Sequence, residues 1–113
     1  MINIETNTEE GICTIKVAGE VDASSSIHLD TAIGEAIDQH KKILVDFGEL
    51  EYISSAGLGV FMSYLQQIES DNIEMVVFGM KSKVLEVFQI LGLDQLMEIT
   101  DTKELALAKV KDA

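Results

Sequence analysis

Ile43-Leu44-Val45-Asp46-Phe47, followed by Tyr52-Ile53-Ser54-Ser55-Ala56-Gly57-Leu58-Gly59-Val60-Phe61, decides the architecture of this chain. The first run is apolar except for Asp46 and reads as a strand buried on both faces. The second ends in a helix-like run, Val60 to Ile68. A strand feeding a helix is the leading half of a strand–helix–strand unit. Two serines and two glycines sit at the junction. A hydroxyl where a helix begins can cap the helix, accept a phosphate or attack an electrophile. Deciding among these three decides what the protein does.

Outward from that junction the same alternation continues. Ile2 to Glu5 is expected to be a short strand, Thr8 to Gly11 a turn, and Ile12 to Ala18 a second strand bounded by Gly11 and Gly19. Gly19-Glu20-Val21-Asp22 is expected to be a loop. Ser24, Ser25 and Ser26 offer N-caps to a helix whose apolar stripe is Ile27, Leu29, Ala32, Ile33, Ala36 and Ile37. His40, Lys41 and Lys42 are expected to complement the negative end of its dipole. After the second helix, which ends near Glu69, Ile73 to Phe78 reads as a strand and Lys83 to Leu91 as a helix stopped by Gly92. Leu96 to Ile99 reads as a last strand. Thr102 to Val110 reads as a last helix, capped by Thr100 or Asp101. The order is ββαβαβαβα, an α/β fold with a mixed, mostly parallel sheet flanked by helices. No proline, linker or repeat divides it, so residues 1–113 are expected to form a single domain.

Composition narrows the function. Eight lysines and no arginine stand against 20 carboxylates, a net charge of -12. The basic footprint that nucleic acid requires is missing, and anionic membranes are disfavoured by the same balance. A partner with a basic docking surface would be steered in. No apolar run is long enough to span a membrane, and no basic segment precedes an apolar one at the N-terminus. A cytoplasmic location is the expectation. Cys13, the only cysteine, lies in an alternating apolar run and reads as a buried structural thiol.

Ligand sites in such sheets form beyond the carboxyl ends of parallel strands. The loops Gly19–Asp22 and Gly48–Gly57 leave two such ends, which brings Asp22 and the Ser54/Ser55 pair into one neighbourhood. A serine nucleophile needs an oriented base. His28 and His40 are the only histidines, both on the first helix, and Gly-x-Ser-x-Gly is absent. There is no phosphate-binding Gly-x-x-x-x-Gly-Lys loop and no Cys/His cluster, so no cofactor or metal is expected. Asp22, Asp46 and Glu49 read as solvated loop carboxylates rather than a hard-cation site. Asp46 ends a strand as the acceptor of a phospho-aspartate receiver does, yet the acidic pair that would hold magnesium is missing. Phosphorylation fits best: a serine at a helix N-terminus sits where the backbone favours anions. Ala56, Gly57 and Gly59 would let a partner approach closely.

At these residues the chain resembles the anti-sigma factor antagonists, the single-domain STAS proteins of bacterial partner switching. The resemblance rests on Gly19-Glu20-Val21-Asp22, Ile43-Leu44-Val45-Asp46-Phe47, Tyr52 to Gly59 and Phe88-Gln89-Ile90-Leu91-Gly92-Leu93. It covers essentially the whole chain. It implies a STAS fold and a substrate and ligand rather than an enzyme. The unphosphorylated form would bind an anti-sigma factor that is also a serine kinase of the histidine-kinase-like ATPase type, releasing the sigma factor. Phosphorylation would end binding, and a PP2C-type phosphatase would reset it. The family's modified serine stands two positions before Gly-Leu-Gly, which implies Ser55, with Ser54 the runner-up. Ser54 departs from the aspartate often found at its position. The resemblance also implies partner contacts by Asp22, Ser54, Ala56, Gly57, Leu58 and Gly59. A STAS scaffold subunit without a phosphorylation cycle, or a switch with an output other than a sigma factor, is the alternative.

Overall fold

The computed structural model describes residues 2–111. Its elements are β1 (Ile2–Glu9), β2 (Ile12–Val21), α1 (Ser26–Gln39), β3 (Lys42–Ile53), α2 (Ser55–Ser70), β4 (Glu74–Phe78), α3 (Ser82–Ile90), a 3-10 turn (Leu93–Gln95), β5 (Glu98–Thr100) and α4 (Lys103–Lys111). The sheet runs in the order β1-β2-β3-β4-β5. β1 is antiparallel to β2, and every later pairing is parallel. The expected order and mixed sheet are both present.

Each crossover steps one strand in the same direction, so α1, α2 and α3 share one face. Alternate residues of the strands supply that face: Cys13, Ile15 and Val17 from β2, and Ile43, Val45 and Phe47 from β3. Phe47, Phe61 and Phe88 meet at its centre, with ring centroids 5.7 to 6.3 Å apart. The opposite face of the sheet presents Ile12, Leu44, Val76 and Phe78, which α4 covers with Ala106 and Val110. Cys13 is buried, as its alternating run suggested.

Several boundaries differ from the sequence expectation. β1 extends to Glu9, because Glu10 and Gly11 both adopt positive φ (52° and 79°) and close the two-residue hairpin by themselves. β2 does not stop at Ala18, and β3 does not stop at Phe47. Both continue side by side, Val21 opposite Ile53, across two register shifts. Asp46 accepts a hydrogen bond from the Gly48 amide (2.9 Å), which accommodates the irregular backbone there. The expected loops Gly19–Asp22 and Gly48–Gly57 therefore shrink to Asp22 onward and to Ser54. No basic residue lies in the last turn of α1. The Lys41 ammonium instead donates to the Asp71 carbonyl (2.7 Å), where it ties two chain turns together. Thr102, not Thr100 or Asp101, caps α4 by accepting from the Leu105 amide. Gly92 adopts φ 73° and terminates α3 as expected.

Candidate functional site

The extended β2 and β3 end together, and their ends position the junction. The Ser54 amide donates to the Val21 carbonyl (2.8 Å), one residue before Asp22. Ser54 is the N-cap of α2: its backbone is extended, and its hydroxyl accepts from the Gly57 amide (3.3 Å). Ser55 is the first helical residue and is exposed. Its hydroxyl makes no hydrogen bond to the described residues. The two serines are thus divided: one is occupied by the helix and the other is open to solvent.

The two glycines are divided as well. A Cβ on Gly57 would lie 2.7 Å from a side-chain carbon of Ile53 and 2.7 Å from one of Val21. Only a hydrogen at that position lets the first turn of α2 sit on the ends of β2 and β3. A Cβ on Gly59 would meet nothing within 4 Å. Gly57 thus serves packing inside the molecule rather than the close approach of a partner. Leu58 is also buried, whereas Ala56 is exposed.

The Asp22 turn flanks the junction. One oxygen of its carboxylate accepts from the Ser24 hydroxyl (2.8 Å), the Ser24 amide (3.0 Å), the Ser25 amide (3.0 Å) and the Ser25 hydroxyl (3.1 Å). The Ser25 hydroxyl accepts in turn from the Asp22 amide (2.9 Å). The Ser24 hydroxyl, followed by the Ser25 amide and hydroxyl, holds the Asp22 carboxyl below its ordinary value. Ser25 occupies the N-cap of α1 without a side-chain capping bond, because its hydroxyl is spent on Asp22. The junction is braced from the other side by Glu51, which pairs with Lys81 and with Lys83 (3.2 Å). Glu51 is likewise held below the usual carboxylate range, first by Lys81.

Neither histidine is arranged as a base for the serines. His28 and His40 border a groove of about 320 Å³ between α1 and the β1–β2 hairpin, with Thr6, Thr8 and Cys13. Among the described residues no group of three or more His, Cys, Asp or Glu is placed to hold a metal ion, and no helix is long and apolar enough to cross a membrane.

The structure also exposes residues that periodicity assigned to the core or passed over. Ile27, read as part of the buried stripe of α1, is 64% exposed. It lies in the first turn of the helix, ahead of Leu29, the first stripe residue to reach the sheet. Tyr52 near the end of β3 and Met62 on α2 are also more than half exposed. No local pattern in the sequence marks them, because which side of each element faces outward depends on how the elements pack.

Comparison with known proteins agrees with the fold. The STAS domain family model matches residues 3–106. A relative in Staphylococcus aureus, an anti-sigma-B factor antagonist, is 29% identical over 104 residues, spanning 91% of this chain and 96% of its own. The crystal structure of an anti-sigma factor antagonist from Mycobacterium paratuberculosis superposes with a TM-score of 0.90 at 22% identity, over 99% of this chain and 96% of that one. The phosphorylated form of the Bacillus cell-fate determinant SpoIIAA superposes with a TM-score of 0.71 at 22% identity, over 97% and 99% of the two chains. At that identity the two structures establish a shared fold.

Proposed function

The chain belongs to the STAS domain family, and from that premise we propose that it is an anti-sigma factor antagonist switched by phosphorylation of Ser55. Its unphosphorylated form binds an anti-sigma factor that is also a serine kinase of the histidine-kinase-like ATPase type, and the sigma factor is released. The kinase transfers a phosphate to the Ser55 hydroxyl and the complex parts. A PP2C-type phosphatase restores the hydroxyl. The chain is a ligand and a substrate in this cycle, not a catalyst.

The division of labour between the two serines carries the reading. Ser54 caps α2 with its hydroxyl, so the helix start needs nothing from Ser55. The Ser55 hydroxyl is left exposed and unbonded, where a kinase can reach it. A phosphate there adds about -1.5 to -2 charge at a helix N-terminus, where the backbone tolerates an anion. The modified chain therefore stays folded while its docking face changes in charge and hydration. Asp22, Ser54, Ala56 and Gly59 border the same face. Gly57 and Leu58, both buried, act by setting its shape. The S. aureus relative bears the name of this function, and SpoIIAA shares the fold and exists in a phosphorylated form.

The test is phosphorylation by the captured partner kinase with ATP, read by intact mass. Wild type gains one phosphate and Ser55→Ala gains none. A Ser55→Ala protein that is still fully phosphorylated would rule the site out. Ser55→Asp should bind the kinase more weakly, and unchanged affinity would count against the switch.

A further inference from the structure

The sheet has a gap at the start of β4. β5 pairs with β4 only from Val76 opposite Glu98 onward, so Glu74 and Met75 have no residue opposite them on that side. The Glu74 amide donates to the Lys41 carbonyl (2.7 Å), which turns the backbone groups of Glu74 towards β3 and those of Met75 towards the gap. Farther along the same edge the Gly79 amide donates to the Thr100 carbonyl (3.3 Å), in step with that alternation. Among the described residues no acceptor meets the Met75 amide. Met75 is buried, and buried backbone donors are nearly always paired. The gap thus holds a donor whose acceptor the chain does not supply.

The two sides of the gap differ in chemistry. On the α2 side lies a groove of about 340 Å³, walled by Phe61, Leu65 and Ile68 of α2 and by Leu96 and Met97. Leu96 is 65% exposed. On the other side Val76 and Phe78 pack under α4, and Glu74 shares their alternation and so faces the same way. Glu98 stands there too, paired with Lys109 of α4 (3.2 Å). Glu74 is half-buried, and among the described residues it makes no ion pair.

We propose that this gap is a docking site for a short extended segment of a protein partner, in which apolar residues alternate with lysine or arginine. A carbonyl of the segment accepts from the Met75 amide. Successive side chains of an extended segment point to opposite faces. Its apolar residues therefore enter the groove between α2 and Leu96, and its basic residue reaches Glu74. Main-chain pairing supplies attachment, and the alternating side chains supply specificity. A net charge of -12 draws in such a segment and repels an acidic one. A second copy of this chain has no such segment to offer. Lys16 and Lys42, which adjoin apolar strand residues, lie on β2 and β3 inside the sheet. Ile68 is near the far end of α2 from Ser55, about 20 Å along the helix axis. A partner held here leaves the switch serine uncovered, so the chain can carry it in either state of Ser55.

The test is titration of the full chain with an acetylated, amidated pentapeptide of alternating leucine and lysine, followed by amide NMR at about 0.1 M salt. The peptide should bind with a Kd below about 1 mM. At saturation, exchange of the Met75 amide should slow by about tenfold or more, a readout that needs no variant. A peptide of the same composition with its leucines grouped, and one alternating leucine with glutamate, should bind more weakly. Glu74→Gln and Leu96→Ser should each weaken binding by about threefold or more. Neither side chain is buried, so the thermal midpoint should hold. Ser55→Asp should bind the peptide as wild type does, which keeps this outcome separate from the phosphorylation switch. An unchanged Met75 amide, equal binding of the grouped peptide, or binding untouched by both substitutions would overturn the proposal. Acetyl-leucine amide binding as tightly as the pentapeptide would assign the groove to a small molecule instead. Slowing of the Met75 amide with protein concentration alone would assign it to a second copy. Either result would overturn the proposal as well.

Discussion

Replacing Gly57 with alanine should destabilise the protein, although alanine is the better helix former. The site is the third residue of α2. Helix propensity alone favours Gly→Ala by up to about 1 kcal/mol. Against that, the new methyl would stand 2.7 Å from side-chain carbons of both Val21 and Ile53. Ordinary carbon contacts lie near 3.5 to 4.0 Å, so the overlap is about 1 Å on two sides. Val21 is 0% and Ile53 5% exposed, so neither can swing into solvent. Overpacking of that kind costs about 2–3 kcal/mol. The net loss is then about 1–2 kcal/mol, or about 4–8 °C in thermal midpoint for a domain of this size. Gly59→Ala is the internal control. Its methyl meets nothing within 4 Å, so it should stabilise by about 0.5–1 kcal/mol. Equilibrium denaturation with an unchanged slope measures both. If Gly57→Ala is as stable as wild type, or if both substitutions shift stability the same way, the packing account of the first turn of α2 is wrong. A Gly59→Ala protein that is more stable yet binds the kinase less well would separate the partner surface from the scaffold.

Two further outcomes follow from the hydrogen bonds around the junction. Ser54→Ala should cost about 1 kcal/mol because a helix cap is lost, and Ser55→Ala should change stability by less than about 0.5 kcal/mol. Equal effects in denaturation would contradict the assignment of the cap to Ser54. Asp22 should titrate below its ordinary 3.8, and a carboxyl-carbon NMR titration that places it at or above that value would contradict the Ser24–Ser25 hydrogen bonds. A carboxyl depressed in the folded state stabilises fully above its unfolded pKa and loses that contribution as pH falls through the folded one. The gap in thermal midpoint between wild type and Asp22→Asn should therefore be greatest near neutrality and close in the acid range below 3.8.

The alternation of Ile43–Phe47, the helical spacing after Gly59 and the glycine at 92 were enough to order the elements, because each is a local signal set by neighbours a few residues away. Local signals also placed Ser54 and Ser55 at a helix start. They failed where distant segments meet. β2 and β3 run past Gly19 and Gly48 because each strand satisfies the other's backbone groups, a gain that no residue in either segment announces. Ile27 fits the stripe of α1 by spacing yet lies beyond the reach of the sheet.

Amino-acid order alone therefore specifies an acidic α/β chain with a hydroxyl pair at the mouth of its sheet, since charge and periodicity are properties of the chain itself. Folding settles what each member of the pair does. Ser54 is consumed by the cap and Ser55 left open because the ends of β2 and β3 seat α2 in one position. Gly57 and Gly59, alike in sequence, part company because Val21 and Ile53 arrive beside only one of them. Contacts between residues far apart in the chain exist only once the sheet has formed, and those contacts assign the roles.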